Sequence, residues 1–192
     1  MDAFNIYLAG VGGQGIGLLS EIILRAGDHA GLPVKGVDTH GLAQRGGIVK
    51  SQIRMGKDAH APLIADRNSD LVVALERHEA LRAMYSALKD RGTLIYYNAV
   101  WQPLDVRLGR DTEVSAEMLE NAARAQEIKT IQVYAPDLPD ARMQNIALLA
   151  VIAKSELIPG VRLADYTRAM EDLMAGRMLE TNRTLFESRV AR

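Results

Sequence analysis

The sequence predicts an α/β protein whose mostly parallel sheet carries helices on both faces, and three observations predict it. Short apolar runs that read as strands alternate with stretches whose apolar residues recur at helical spacing. The first such run passes into a helix through a glycine-rich turn, Gly10-Val11-Gly12-Gly13-Gln14-Gly15. The chain has 192 residues, 48% of them apolar and 24% charged, which is material for one sizeable core. A single doubly wound, Rossmann-like domain over residues 1–192 is the expectation.

The elements follow in order. FNIYLA (4–9) ends at Gly10 and reads as a buried strand. From Gln14 to about Ala30 the residues Ile16, Leu19, Ile22, Ile23 and Ala26 recur at helical spacing, with Gly31 and Pro33 as stop signals. PVKGVD (33–38) is a second strand, THGLAQRGG (39–47) a loop or single turn, and IVKSQIR (48–54) a third strand. DLVVAL (70–75) is followed by a helix from Glu76 to about Asp90, closed by Gly92, and then by the strand TLIYY (93–97). Residues 98–114 read as irregular and hold the sole tryptophan, Trp101. Ser115 caps a helix to about Glu127, which leads into the strand TIQVY (130–134). The remainder is helical: a stretch at 140–156 that is apolar nearly all round, an amphipathic helix at 163–175, and a last helix from about Glu180.

Composition excludes several function classes. Lysine and arginine number 23 against 24 aspartates and glutamates, a net charge of −1 with no long basic run, so neither nucleic acid nor an anionic membrane is expected as the main partner. There is no cysteine, which removes disulfides, thiolate nucleophiles and cysteine-ligated clusters together. The four histidines, His29, His40, His60 and His78, form no zinc-type pair. No apolar run approaches the roughly 18 residues of a membrane span, and MDAFNIY is no signal peptide; a cytoplasmic protein is expected.

The glycine turn fits G-x-G-x-x-G between a strand and a helix, and Asp38 ends the second strand near the place of a ribose-binding acid. A stand-alone NAD(P)-binding oxidoreductase is therefore one reading, and a nucleotide sensor for AMP or ADP another. Against the first, residues beyond the turn complete the sheet and leave no second, substrate-binding domain; the second has no sequence feature of its own beyond the turn. THGLAQRGG follows the second strand at the carboxyl edge of such a sheet. Its Thr39, His40, Gln44 and Arg45, with Gly46 and Gly47, suit a phosphate, a carboxylate or a partner's acidic loop. Ser51 and Arg54 lie on the next strand, where alternation sends them to opposite faces.

GVGGQGI at the start, THGLAQRGGIVKSQIRMG at 39–56 and DLVVALERHEALR at 70–82 together resemble the gamma-type domain of 2-oxoacid:ferredoxin oxidoreductases, nearest to the small beta subunit of the indolepyruvate enzymes. MQNIALLAVIA (143–153) and LETNRTLF (179–186) are similar to that family's buried C-terminal helix and tail. The resemblance implies a small subunit, not catalytic alone, in a complex that oxidatively decarboxylates an aryl 2-oxoacid to an acyl-CoA. Thiamine diphosphate, Mg2+ and [4Fe-4S] clusters are then expected on a larger partner chain, through which ferredoxin is reduced, with coenzyme A as substrate and no cofactor held by this chain. The motif residues carried to the shared site, facing substrate, coenzyme A or partner, are Gly12, Gly13, Gln14, His40, Gln44, Arg45, Gly46 and Gly47. Met170, Met174 and Met178 fall four apart and share a face if one helix runs that far, as core or as an adaptable interface.

Overall fold

The computed structural model describes residues 2–40, 47–101 and 104–191. The elements are β1 (Phe4–Val11), α1 (Ile16–His29), β2 (Val34–His40), β3 (Ile48–Met55), β4 (Ser69–Ala74), α2 (Arg77–Ser86), β5 (Leu88–Tyr97), α3 (Leu104–Arg107), α4 (Ala116–Ala125), β6 (Lys129–Val133), α5 (Gln144–Lys154), α6 (Leu163–Leu173) and α7 (Gly176–Ala191). The strands form a six-stranded sheet in the order β2-β3-β1-β4-β5-β6. β1, β4, β5 and β6 are parallel neighbours, whereas β3 pairs antiparallel with both β1 and β2. β2 thus runs with β1, and β3 is the one reversed strand among the described residues.

Alternation along the strands sends side chains to two cores. Ile6, Leu8, Ile53, Leu71, Val73 and Ile95 meet Leu19, Ile22 and Ile23 of α1, the buried helix α5, and Tyr166 and Phe186 of α6 and α7. Tyr7, Ala9, Val72, Ala74, Leu94 and Tyr96 meet Ala80, Ala83 and Met84 of α2 and Leu119 of α4 on the opposite face. Parallel strands buried on both faces must be apolar nearly throughout, which is why LVVA reads as an unbroken run. Ser115 caps α4 as expected, its hydroxyl accepting from the Met118 N–H at 3.0 Å.

Five expectations are corrected. Thr39 and His40, read as loop, end β2 because they pair with Lys50 and Val49 of β3, and residues 104–107 of the stretch read as irregular form the short helix α3. The helix after β4 stops at Ser86, and Gly92 lies inside β5. Leu88 is fully buried as the partner of Ser69, and the register then jumps to Leu71 against Thr93, so residues between Leu88 and Thr93 bulge from the strand. The last helix starts at Gly176, before the expected Glu180. The methionines share no helix face: α6 ends at Leu173 and Met174 is extended. Met170 and Met174 are core residues, while Met178 is exposed on α7. Among the described residues, no helix is long and apolar enough to cross a membrane.

Candidate functional site

β1 enters α1 through a turn held from inside. The Gln14 side chain is buried; its Oε1 accepts from the Val11 N–H at 2.8 Å and its Nε2 donates to the Leu75 carbonyl at 3.4 Å. The Gln14 N–H donates to the Val11 carbonyl at 3.1 Å. The sequence places Gln14 among shared-site candidates; the structure places its carboxamide as a brace between the β1 turn and the end of β4. Gly13 is exposed, has a φ of 101°, and has no heavy atom within 4 Å of where a Cβ would stand. Gly15, the residue before α1, has a φ of 80°, and a Cβ there would lie 2.5 Å from Asn145 Nδ2. Only glycine takes such backbone at no cost. Asn145, itself buried, donates through Nδ2 to the Gly15 carbonyl at 3.2 Å.

The two sequence motifs meet. The Gly12 N–H donates to the Gly47 carbonyl at 2.9 Å, Val11 pairs with Ile48, and His40 at the end of β2 pairs with Val49. Gly12, Gly13, Gln14 and Gly47 are therefore together at the carboxyl edge of the sheet, with the end of β2 one strand further on. Gln44, Arg45 and Gly46 lie outside the described residues. Ser51 is buried against the α1 face, and Arg54 points elsewhere, donating to Asn5 Oδ1 at 3.0 Å and the Ala61 carbonyl at 3.2 Å.

Beside the turn opens a cleft of about 560 Å³. Gly13, Gly15 and Leu18 form one wall, Pro139, Met143 and Asn145 another, and Arg177, Met178, Thr181 and Asn182 of α7 a third. Asp140 and Arg142 stand at its rim as an exposed pair; hydrogen bonds from Arg142 hold the Asp140 carboxyl at about 2. Arg177 makes no ion pair among the described residues. Sequence reasoning did not find this cleft, because its walls come from residues more than 160 positions apart. Asn145, a polar residue opening an otherwise apolar stretch, was the available signal.

The neighbouring start of α2 holds a second group that sequence reasoning passed over. Glu76 is fully buried and accepts from the His78 N–H at 3.0 Å and from the Glu79 N–H. Burial pushes the Glu76 and Glu79 carboxyls above the usual carboxylate range, and for Glu79 the Arg82 guanidinium opposes the rise. Burial also pushes the His78 imidazole below its ordinary value, consistent with a neutral ring whose Nε2 accepts from the Val114 N–H at 3.4 Å. A glutamate directly between a strand and a helix, with a second glutamate three residues on, was the legible signal.

Asp38 departs from the dinucleotide reading. In that arrangement the ribose-binding acid ends the strand adjacent to β1. Here β3 lies between β1 and β2, so Asp38 is two strands away, where it accepts from the Ser20 hydroxyl at 3.3 Å.

The family model for pyruvate ferredoxin/flavodoxin oxidoreductase matches residues 5–190. The chain belongs to that family. A curated relative, indolepyruvate oxidoreductase subunit IorB of Archaeoglobus fulgidus, is 48% identical over 94 residues, covering 49% of this chain and 45% of the relative. The chain spans about half the length of the first curated relatives it matches. Among solved structures, the pyruvate oxidoreductase subunit PORC of Thermotoga maritima superposes with a TM-score of 0.69 at 20% identity, covering 100% of this chain and 97% of that one. The 2-oxoglutarate:ferredoxin oxidoreductase of Magnetococcus marinus gives 0.70 at 17% identity, covering 100% of this chain but 31% of the other. At these identities the likeness is one of fold, found both as a separate chain and as about a third of a longer one.

Proposed function

We propose that this chain is the small subunit of a cytoplasmic, thiamine-dependent 2-oxoacid ferredoxin oxidoreductase acting on indolepyruvate or a similar aryl pyruvate. Its glycine-turn edge completes the active site and the coenzyme A site on a larger partner chain. In the overall reaction the 2-oxoacid, coenzyme A and two oxidised ferredoxins give an acyl-CoA, carbon dioxide, two reduced ferredoxins and a proton. The observation that carries this reading is the Gly12–Gly47 hydrogen bond, which joins the two family motifs at one open edge.

The residues of this chain do not fit the complex's redox groups. It has no cysteine to ligate a [4Fe-4S] cluster, and among the described residues no three acidic, histidine or cysteine side chains converge on a metal position. Thiamine diphosphate, its Mg2+ and the clusters therefore belong to the partner in this reading. What this chain offers is a turn braced by Gln14, an open backbone at Gly13, and the motif residues His40, Gln44 and Arg45 followed by Gly46 and Gly47. Arg45 supplies the permanent cation for a phosphate of coenzyme A or a partner carboxylate.

Co-expression with a larger, cysteine-rich chain tests the reading directly. The two should co-purify, and the complex should reduce a redox dye when given coenzyme A and an aryl pyruvate from a 2-oxoacid panel. Arg45→Ala should lower that rate by about tenfold or more with an unchanged urea midpoint, since a charge-assisted contact contributes on the order of 1.5–3 kcal/mol. A chain that stays alone and folded beside its co-expressed partner overturns the proposal, and an unchanged rate removes Arg45 from the site.

A further inference from the structure

Nine large apolar side chains are exposed among the described residues, and four of them, Ile48, Trp101, Tyr134 and Met178, share the carboxyl edge of the sheet. Ile48 opens the reversed strand opposite Val11. Tyr134 directly follows β6 and is 62% exposed, its ring tilted against Tyr97 with centroids 6.4 Å apart. Met178 lies on the first turn of α7, on the cleft wall facing Gly13. Trp101 follows β5 and is 54% exposed; two residues before it, the Ala99 carbonyl accepts from the Arg77 N–H at 3.0 Å.

Four carboxylates along this edge have cationic partners. Glu113 accepts from Arg77 at 3.0 Å, Asp140 is paired with Arg142, Asp137 with Arg189 and Glu79 with Arg82. Arg107, in the depression beside Trp101, and Arg177, in the cleft beside Gly13, make no ion pair among the described residues. Tryptophan, tyrosine, methionine and arginine are the residue types enriched at the centres of protein interfaces. Four inter-strand steps of about 4.8 Å separate Ile48 from Tyr134 by roughly 19 Å. That breadth suits a protein surface burying about 800 Å² per side better than a small ligand, which needs an enclosing pocket.

We infer that this edge, centred on Trp101, is the docking surface for the larger partner chain, which meets it with an apolar face bearing carboxylates opposite Arg107 and Arg177. The inference rests on the subunit reading above and adds which face is covered and by what chemistry.

Trp101 is the sole tryptophan, so 5-fluorotryptophan incorporated into this chain gives a single 19F resonance. Addition of the unlabelled larger chain should shift and broaden it. Trp101→Ala and Met178→Asp, on separate elements, should each raise the Kd for the larger chain at least tenfold with the fold intact by circular dichroism. Tyr85→Ala, at the end of α2 on the opposite edge, should change it less than twofold. A complex that forms while the resonance stays in place, or Trp101→Ala and Met178→Asp proteins that both bind within twofold of the parent, overturns the inference and leaves the subunit reading standing. So does a concentration-dependent shift of the isolated chain with dimers in sedimentation, which assigns the surface to a second copy. A parent chain that binds no larger chain at all overturns both.

Discussion

Two helices start side by side at the carboxyl edge of the sheet, α1 after β1 and α2 after β4, and they are built in opposite ways. α2 begins on Glu76, whose buried carboxylate accepts two backbone N–H groups of its own first turn. α1 begins on Gly15 in the left-handed region with no side-chain cap and no acidic residue in its first turn. The free N–H groups at a helix start favour negative charge. At α2 the chain supplies that charge itself, and the helix start is sealed. At α1 the start carries no side-chain cap, and the Gln14 side chain is turned inward as a brace. The contrast is between a helix start sealed by its own side chain and one that has no side-chain cap.

The sharpest way to break that contrast is Glu76→Ala. It leaves the His78 and Glu79 N–H groups without their buried acceptor, and a loss of about 3 kcal/mol is expected from a cap plus an unsatisfied donor. Urea unfolding measures it, and a loss below about 1 kcal/mol would show that α2 tolerates an empty start as well as α1 does. Glu76→Gln, which keeps an acceptor oxygen, should lose less.

The glycine turn gives the next effect. Gly15→Ala combines a φ of 80° with a Cβ 2.5 Å from Asn145 Nδ2, and should cost about 2 kcal/mol. Gly13→Ala meets only backbone strain in open space, about 1 kcal/mol. The order of the two thermal midpoints checks this, and a reversed order would mean that the turn is not braced as the Asn145 and Gln14 contacts require.

The smallest effect is in pH. The folded protein holds His78 below its ordinary value near 6.5, so its contribution to stability is fully present above that value. It should decline as pH falls below 6.5 toward the lowered folded value, because the unfolded chain binds the proton first. Urea midpoints at pH 7.5 and 5.5 should differ more in the parent than in His78→Gln; equal differences would remove His78 as the cause. Glu76 and Glu79, raised by burial, act in the opposite sense: their protonation favours the folded state, and that gain is lost as pH rises through their folded values.

Much of this was legible in order along the chain. Helical spacing from Ile16 to Ala26, the glycine turn and the Ser115 cap are local signals, each decided within a few residues by sterics and hydrogen bonding, and all three hold. The errors fell where long-range pairing overrides local preference. Leu88 reads as the end of a helix, yet it is drawn into β5 as the buried partner of Ser69. The methionine repeat broke because α6 and α7 pack as separate helices around a buried, extended Met174.

Direction could be argued from loop length. Nine residues between the strand readings at 33–38 and 48–54 are too few for a parallel crossover of a dozen or more, so a reversed third strand was implicit in the spacing. Its place in the sheet was not. Hairpin geometry allows β3 on either side of β2, and only burial of Ile53 and Met55 against α1 puts it between β2 and β1. That single choice moves Asp38 away from the glycine turn and ties Gly12 to Gly47. The alternation, the turn and the absence of cysteine are properties of neighbouring residues or of composition, and the chain carries them in any fold. The open edge, with a cleft walled by Gly13 and Met178 and an exposed Trp101, arises from contacts between distant segments, which packing free energy selects and local pattern does not encode.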